Sequence, residues 1–442
     1  MQESRRAELS VKQERAVLVG VLLPGEDHGG ESPLDELERL AGTAGAKVVG
    51  RLMQKLPQVH ISTYVGSGKA EELRDLCQAL DADAVLCDHD LSPAQIRNLE
   101  RITERKVLDR SELILDIFAT RAKTRQAKVQ VELAQLEYTL PRLTKMWSHL
   151  DRHGGGIGTR GPGERQIETD RRIIGRRMRD MRRELATIAQ RKRRQVAGRR
   201  NEFTICLVGY TNAGKSTLLN ALTGTDAFVE DRLFATLDTK TRVWELDESH
   251  RVLLSDTVGF IRRLPHHLVA SFHATLEEAL SADLLLHVTD ISHADCYHHA
   301  EIVRNVLAEV GCGEQPILHV FNKADIARPT AEAGLLAAAT NEHFRVSALR
   351  GEGLDPLRHR VLEIVAGREA RITVDAHCAS GRLLAWLHEF ANVLTTTRDD
   401  DRLVVEARIE PRHLPALRSA AGPNDSIVVH EAPTPCSADG VR

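Results

Sequence analysis

The octapeptide Gly209-Tyr210-Thr211-Asn212-Ala213-Gly214-Lys215-Ser216 sets two glycines, a lysine and a hydroxyl at the spacing G-x-x-x-x-G-K-[ST]. That spacing suits a polyphosphate. The glycines let consecutive backbone N–H groups curl around an anion where a helix begins, and the helix dipole favours negative charge there. Lys215 adds a point charge at the outer phosphates, and Ser216, followed by Thr217, brings a hydroxyl that can ligate Mg²⁺. The β-forming run Phe203-Thr204-Ile205-Cys206-Leu207-Val208 leads directly into the loop, which is the strand–loop–helix context the motif requires.

Further clusters follow at the ends of apolar runs. Val252-Leu253-Leu254-Ser255 runs into Asp256-Thr257-Val258-Gly259, where a strand-end acid can hold Mg²⁺ and Gly259 can turn its N–H toward a terminal phosphate. Pro316-Ile317-Leu318-His319-Val320-Phe321 runs into Asn322-Lys323-Ala324-Asp325. The Asp325 carboxylate can accept both the N1–H and the N2–H₂ of guanine, a donor pair that adenine does not offer. Phe344-Arg345-Val346 leads into Ser347-Ala348-Leu349, whose backbone can approach the guanine O6. Between the phosphate loop and Asp256, the segment Leu233-Phe234-Ala235-Thr236-Leu237-Asp238-Thr239 is rich in hydroxyls. Thr236 is the expected second protein ligand of Mg²⁺, anchored while the third phosphate is present and released when hydrolysis removes it. Lys215, Thr236 and Gly259 are therefore the expected catalytic set, and Ser216, Thr236 and Asp256 the expected metal ligands. In this order, and on strands alternating with helices, the clusters form the pattern of a P-loop GTPase.

These residues need elements to hold them, and the 442-residue chain is long enough for two to four domains. Residues 14–120 read as a small α/β domain: Ala16–Leu22 and Ala84–Cys87 as buried strands, Leu34–Ala44 and Ser92–Glu104 as helices, the latter with Ser92 as cap and Pro93 in its first turn. Gly66-Ser67-Gly68-Lys69 lacks the phosphate-loop spacing and reads as a helix start. Residues 201–370 form the expected GTPase domain, and residues 371–442 a small C-terminal domain with a disordered tail from about Glu431.

Residues 121–200 differ in kind. Val129, Leu133, Leu136, Leu140 and Leu143 step by four and three, as do Ile174, Met178, Met181, Leu185 and Ile188, so two helices should pack as an antiparallel hairpin. This stretch holds 22 basic and 8 acidic residues, a net +14 against −17 for the rest of the chain, which points to a polyanion as partner. The connector His153–Arg165 has six glycines in the eleven residues from His153 to Gly163, with Arg152, Arg160 and Arg165 alongside. It reads as a flexible finger for phosphate or RNA grooves, the alternative being a plain surface linker.

The chain resembles the HflX family of translational GTPases, related to the Obg branch. The motifs that carry the resemblance are Gly209–Ser216, Phe234-Ala235-Thr236-Leu237-Asp238, Asp256-Thr257-Val258-Gly259-Phe260, Asn322–Asp325, and Gly158-Thr159-Arg160-Gly161-Pro162-Gly163-Glu164 with Glu168-Thr169-Asp170-Arg171-Arg172. The resemblance implies that the N-terminal domain, the hairpin and the GTPase domain bind the large ribosomal subunit and its rRNA, with the glycine-rich tip near the peptidyl-transferase centre. It also implies the splitting or rescue of stalled ribosomes under stress. Phe260 stands where many GTPases have a water-orienting Gln, so slow intrinsic hydrolysis and stimulation by a partner are expected. Asn212 either braces its loop or, as in related GTPases, helps coordinate K⁺ beside the phosphates.

Other function classes fare less well. No apolar stretch approaches the roughly 20 residues of a membrane span, and the start lacks a secretory signal, so a cytoplasmic location is expected; a monomer is expected as well. Seven cysteines without a C-x-x-C pair argue against a zinc ribbon or a disulfide framework. His293, Asp295, Cys296, His298 and His299 make no recognised metal set. An ATP-driven RNA remodeller and a nucleotide-regulated adaptor for proteins or membrane surfaces remain as rival readings.

Overall fold

Alternating apolar strands and amphipathic helices give three separate sheets. The computed structural model describes residues 14–25, 32, 34–146, 162–198, 202–225, 233, 234, 236, 237, 239–263, 278–312, 315–328, 330–409, 411–422 and 424–431. The N-terminal unit consists of β1 (Arg15–Leu22), α1 (Asp35–Ala44), β2 (Lys47–Lys55), α2 (Ser67–Ala79), β3 (Ala84–Cys87), α3 (Pro93–Thr103), β4 (Lys106–Asp109) and α4 (Arg110–Arg121). Its four strands are parallel in the order β2-β1-β3-β4, so the connections diverge between β1 and β3. Ser92 caps α3 in a reciprocal capping box with Gln95, and Gly66 precedes α2 as its cap. The strands β2 and β4 and the helix α4 were not foreseen. Asp109 both ends β4 and starts α4, its carboxylate accepting from Glu112 N–H at 2.9 Å.

The two helical seams meet. Helices α5 (Arg125–Met146) and α6 (Pro162–Gly198) run antiparallel, with Arg125 paired to Glu184 at 2.8 Å and Arg177 to Glu132 at 3.0 Å. Val129, Leu133, Met178 and Met181 are buried between them, with Leu136, Leu140, Ile174 and Leu185 packed alongside. Ile188 is half-buried outside that cluster, and the Leu143 side chain lies outside the described residues. So do residues 147–161 and the side chains of 162–167, which include the glycine-rich tip and its arginines. α6 starts at Pro162, inside what the sequence reads as connector, because proline suits a first helical turn. Its 37 residues span about 55 Å at 1.5 Å per residue.

The central sheet takes β5 (Phe203–Gly209), β6 (Lys240–Glu245), β7 (Arg251–Asp256), β8 (Leu284–Asp290), β9 (Ile317–Asn322) and β10 (His343–Arg345), in the order β10-β9-β8-β5-β7-β6. All neighbours are parallel except β6 and β7. Helices α7 (Lys215–Thr223), α8 (Cys296–Val310), α9 (Ala331–Ala339) and α10 (Leu354–Ala366) accompany it. The C-terminal unit runs β11 (Ala370–His377), α11 (Gly381–Phe390), β12 (Asn392–Asp399), β13 (Arg402–Ile409), α12 (Leu414–Ala420) and β14 (Ser426–Glu431). Its antiparallel order β12-β13-β11-β14 is the split β-α-β arrangement. Residues 432–442, the expected tail, lie outside the described residues. No described helix is long and apolar enough to cross a membrane.

Candidate nucleotide site

β5 ends at Gly209, β7 at Asp256 and β9 at Asn322, so parallel strands of one sheet deliver three of the motifs to one edge. This is where open α/β sheets bind ligands. Gly214, with φ of 87°, turns the loop into α7, and a Cβ there would stand 2.3 Å from Asn322 Nδ2. At Gly259 a Cβ would stand 2.7 Å from Thr211 Cα and 2.9 Å from Lys215 Nζ, so the second motif can approach the loop only as glycine.

A cleft of about 450 Å³ opens along this edge, within the size range of small-molecule sites. Thr211, Asn212, Gly214, Lys215, Ser216 and Thr217 line one end. Phe234, Thr236, Thr257 and Gly259 form a wall, and Asn322, Lys323, Asp325, Ser347, Ala348 and Leu349 form the other end. Ile326, which the sequence did not single out, joins them beside Asp325.

Other expected site residues do not face the cleft. Asp256 sits beneath Ser216, while Leu237 and Val258 are buried in the apolar core. Ala324 donates its N–H to Val346 O and packs beside Phe321. Gly209 and Tyr210 present carbonyls to Lys215 Nζ at 3.0 and 2.8 Å. Ala213 lines a smaller cavity on the far side with the Tyr210 ring. Ala235 and Asp238 lie outside the described residues.

Three oxygens converge at the foot of α7. Ser216 Oγ–H donates to Asp256 Oδ2 at 2.5 Å, Thr236 Oγ1–H donates to the same atom at 3.0 Å, and the two hydroxyls are 2.8 Å apart. Asp256 Oδ1 is buried and makes no hydrogen bond. A set of hard oxygens with an unsatisfied carboxylate oxygen fits Mg²⁺. Burial pushes the Asp256 carboxyl above the usual range, against the pull of Lys215 and the two hydroxyls. Burial likewise lowers the Lys215 ammonium to about 8, although Asp256 opposes the shift.

At the other end, Asn322 braces rather than probes. Its Nδ2 donates to Ala213 O at 2.9 Å and its Oδ1 accepts from Ala348 N–H at 3.0 Å, tying the phosphate loop to the Ser347–Leu349 loop. Lys323 Nζ pairs with Asp290 at 2.7 Å, and Arg350 Nε lies 3.5 Å from the largely buried Asp325 carboxylate. The geometry can hold a polyphosphate over Lys215 and a base against Asp325.

A second polar centre, which sequence reasoning missed, backs the phosphate loop. Tyr210 OH donates to Glu36 of α1 and accepts from Arg262 N–H at 2.8 Å. Glu36 also accepts from Arg110 and lies 3.3 Å from Arg262 Nε. Arg110 reaches Asp88 at 2.8 Å and Arg262 O at 3.1 Å, and Arg263 reaches Asp88 at 2.7 Å. Burial would raise the Glu36 carboxyl, but Arg110, Arg262 and the Tyr210 hydroxyl outweigh it and hold it at about 2. Tyr210 apart, which belongs to the phosphate loop, no local motif marks these residues.

His293, Asp295 and His299 bring their ligand atoms within 4.8 Å of one another. Their contacts are those of a packing seam. His293 Nδ1 accepts from Asp295 N–H at 3.1 Å, Arg39 approaches its Nε2 at 3.4 Å, and His299 stacks flat on Tyr210 with centroids 3.8 Å apart. Cys296 is buried at the start of α8.

Residues 31–119 match the family described as GTP-binding GTPase N-terminal, residues 121–199 that of the GTP-binding GTPase middle region, and residues 204–323 that of the 50S ribosome-binding GTPase. Among relatives, GTPase HflX of Lacrimispora saccharolytica is 42% identical over 407 residues, covering 91% of this chain and 95% of its own. GTPase HflX of Caldanaerobacter subterraneus subsp. tengcongensis is 46% identical over 352 residues, covering 79% of this chain and 80% of its own. A crystal structure of SsGBP in complex with GDP matches at 26% identity with a TM-score of 0.46, covering 80% of this chain and 98% of that one.

Proposed function

Since this chain belongs to the HflX family of GTPases, we propose that its GTP binding and hydrolysis control association with the large ribosomal subunit, in the splitting or rescue of stalled ribosomes under stress. The observation that carries the reading is the convergence of Ser216, Thr236 and Asp256 beside Lys215 and Gly259 in a cleft whose far end holds Asp325. In this reading Lys215 balances charge on the outer phosphates, Gly259 N–H meets the terminal one, and Asp325 selects guanine. Ser216, Thr236 and Asp256 would hold Mg²⁺, which supplies charge neutralisation at the phosphate oxygens. Loss of the third phosphate frees Thr236, and the switch segment with it.

Phe260 is buried, and its backbone pairs with the phosphate loop: its N–H donates to Gly209 O at 3.1 Å and its carbonyl accepts from Thr211 N–H at 2.7 Å. Its ring cannot orient a water, so turnover depends on groups brought by the ribosome. Asn212 holds a left-handed backbone at φ 61°, which asparagine tolerates, and lines the cleft, where its side chain can either brace the loop or coordinate K⁺ beside the phosphates. Equal rates in Na⁺ and K⁺ would decide that choice. The protein acts as a cytoplasmic monomer, and α5 and α6 carry its rRNA contacts.

Co-sedimentation with separated large and small subunits tests this function. Pelleting with large subunits in a non-hydrolysable GTP analogue, and less in GDP, is the expected result. Equal pelleting in both nucleotides, or preference for the small subunit, counts against it. Displacement of bound GTP by ATP would favour the RNA-remodeller reading, and salt-sensitive pelleting with anionic vesicles in place of ribosomes the adaptor reading.

A further inference from the structure

The N-terminal sheet diverges between β1 and β3, and a crevice at that point commonly takes a ligand. Here Asp88 follows β3, Arg110 follows β4 and Glu36 lies on α1, and the groups they grip come from the GTPase domain itself. Arg262 and Arg263 follow closely on the Asp256–Gly259 motif, and Tyr210 belongs to the phosphate loop. Glu36 contacts Tyr210 and Arg262, and Asp88 contacts Arg263, all with carboxylates that are almost fully buried.

The first switch is held from the same side. Phe234, two residues before Thr236, has φ of 55°, a left-handed conformation that strains a bulky side chain. Its ring packs edge-on against Phe118 of α4, with centroids 4.6 Å apart and planes at 75°. Both rings belong to one apolar core that runs without a break from α1 and α4 through Val258, Phe260 and Ile261. In this arrangement Thr236 already meets Ser216 and Asp256.

We propose that Glu36 and Phe118 are positioning residues of the GTPase: from the N-terminal domain they hold both switch segments, Glu36 through Arg262 and Phe118 through Phe234, in the closed arrangement that a triphosphate requires. The inference rests on the nucleotide site described above. GDP needs neither Thr236 nor Gly259 N–H, whereas a third phosphate needs both, so the two residues act selectively on triphosphate binding. Coupling is reciprocal, so a bound triphosphate in turn tightens the docking of the N-terminal domain.

The test uses the full-length protein with Mg²⁺, titrated with fluorescent GDP and with a fluorescent non-hydrolysable GTP analogue. Glu36→Gln and Phe118→Leu should each weaken the analogue on the order of tenfold while leaving GDP within about twofold. Hydrolysis by both variants should show the matching rise in KM, and melting curves show whether each variant folds. Equal losses for the two nucleotides, or no loss for either in a folded variant, would overturn the proposal. Failure of the unaltered protein to bind either nucleotide would instead overturn the site itself.

Discussion

At the scale of single residues, the lysine in the phosphate loop makes a pH-dependent contact. Burial holds the free Lys215 ammonium at about 8, and phosphate oxygens stabilise the charged form. Below that pH the lysine is charged before and after binding, so protons do not enter the equilibrium. Above it, binding must take up a proton, and affinity falls by up to about tenfold per pH unit. GDP titrations between about pH 7 and 9 should show this slope in the unaltered protein, while Lys215→Met binds weakly at every pH with a flatter line. Parallel lines would mean that the ammonium is not the titrating group. In the proposed site Asp325 is the residue that would select the base. Its carboxylate is largely buried with Arg350 nearby, and losing two charge-assisted hydrogen bonds to guanine costs about 3 kcal/mol or more. Asp325→Ala should therefore weaken GTP by on the order of a hundredfold or more without improving ATP, measured by competition.

Elements differ in how much of themselves the sequence displays. The phosphate loop, Asp256–Gly259 and Asn322–Asp325 are legible because each follows an apolar strand at short range, and the folded sheet brings those strand ends together. The seams of α5 and α6 are legible for the same reason, since a three–four step marks one face of one helix. The Glu36 centre is not, because its partners lie 74, 174 and 226 positions away in the chain. In α1, Glu36 stands between Asp35 and Glu38 and looks like part of a solvated first turn. Proline inside a helix removes a backbone donor and crowds the preceding turn, but the seam that continues past Pro141 to Leu143 outweighs that local signal, and α5 does run on to Met146. The hairpin core is small, with four buried side chains among the described residues. Met181→Ala should cost about 2–4 kcal/mol and raise amide hydrogen exchange along α5 and α6 first. Uniform exchange across the GTPase sheet as well would show that the hairpin does not open separately.

Over the whole molecule, charge is segregated along the same lines as the fold. The net +14 of residues 121–200 belongs to the stretch that includes α5 and α6, the latter about 55 Å long, while the remainder carries −17. Arg171, Arg172 and Arg176 are exposed on α6, and Arg177 and Arg182 are paired with Glu132 and Glu137 of α5. The pairs hold the two helices in register, and the exposed arginines remain for an outside anion. On the proposed function, contacts with rRNA phosphates would release counterions, so binding to large subunits should fall steeply with salt, with log K linear in log salt concentration. Arg171→Glu, Arg172→Glu and Arg176→Glu together should weaken binding and reduce the steepness of that line by about 2–3. Helical content measured alongside shows whether α6 survives the change. If the folded triple variant keeps both its affinity and its slope, the anion lies elsewhere, and the positive charge of the hairpin serves some end other than attachment to the ribosome.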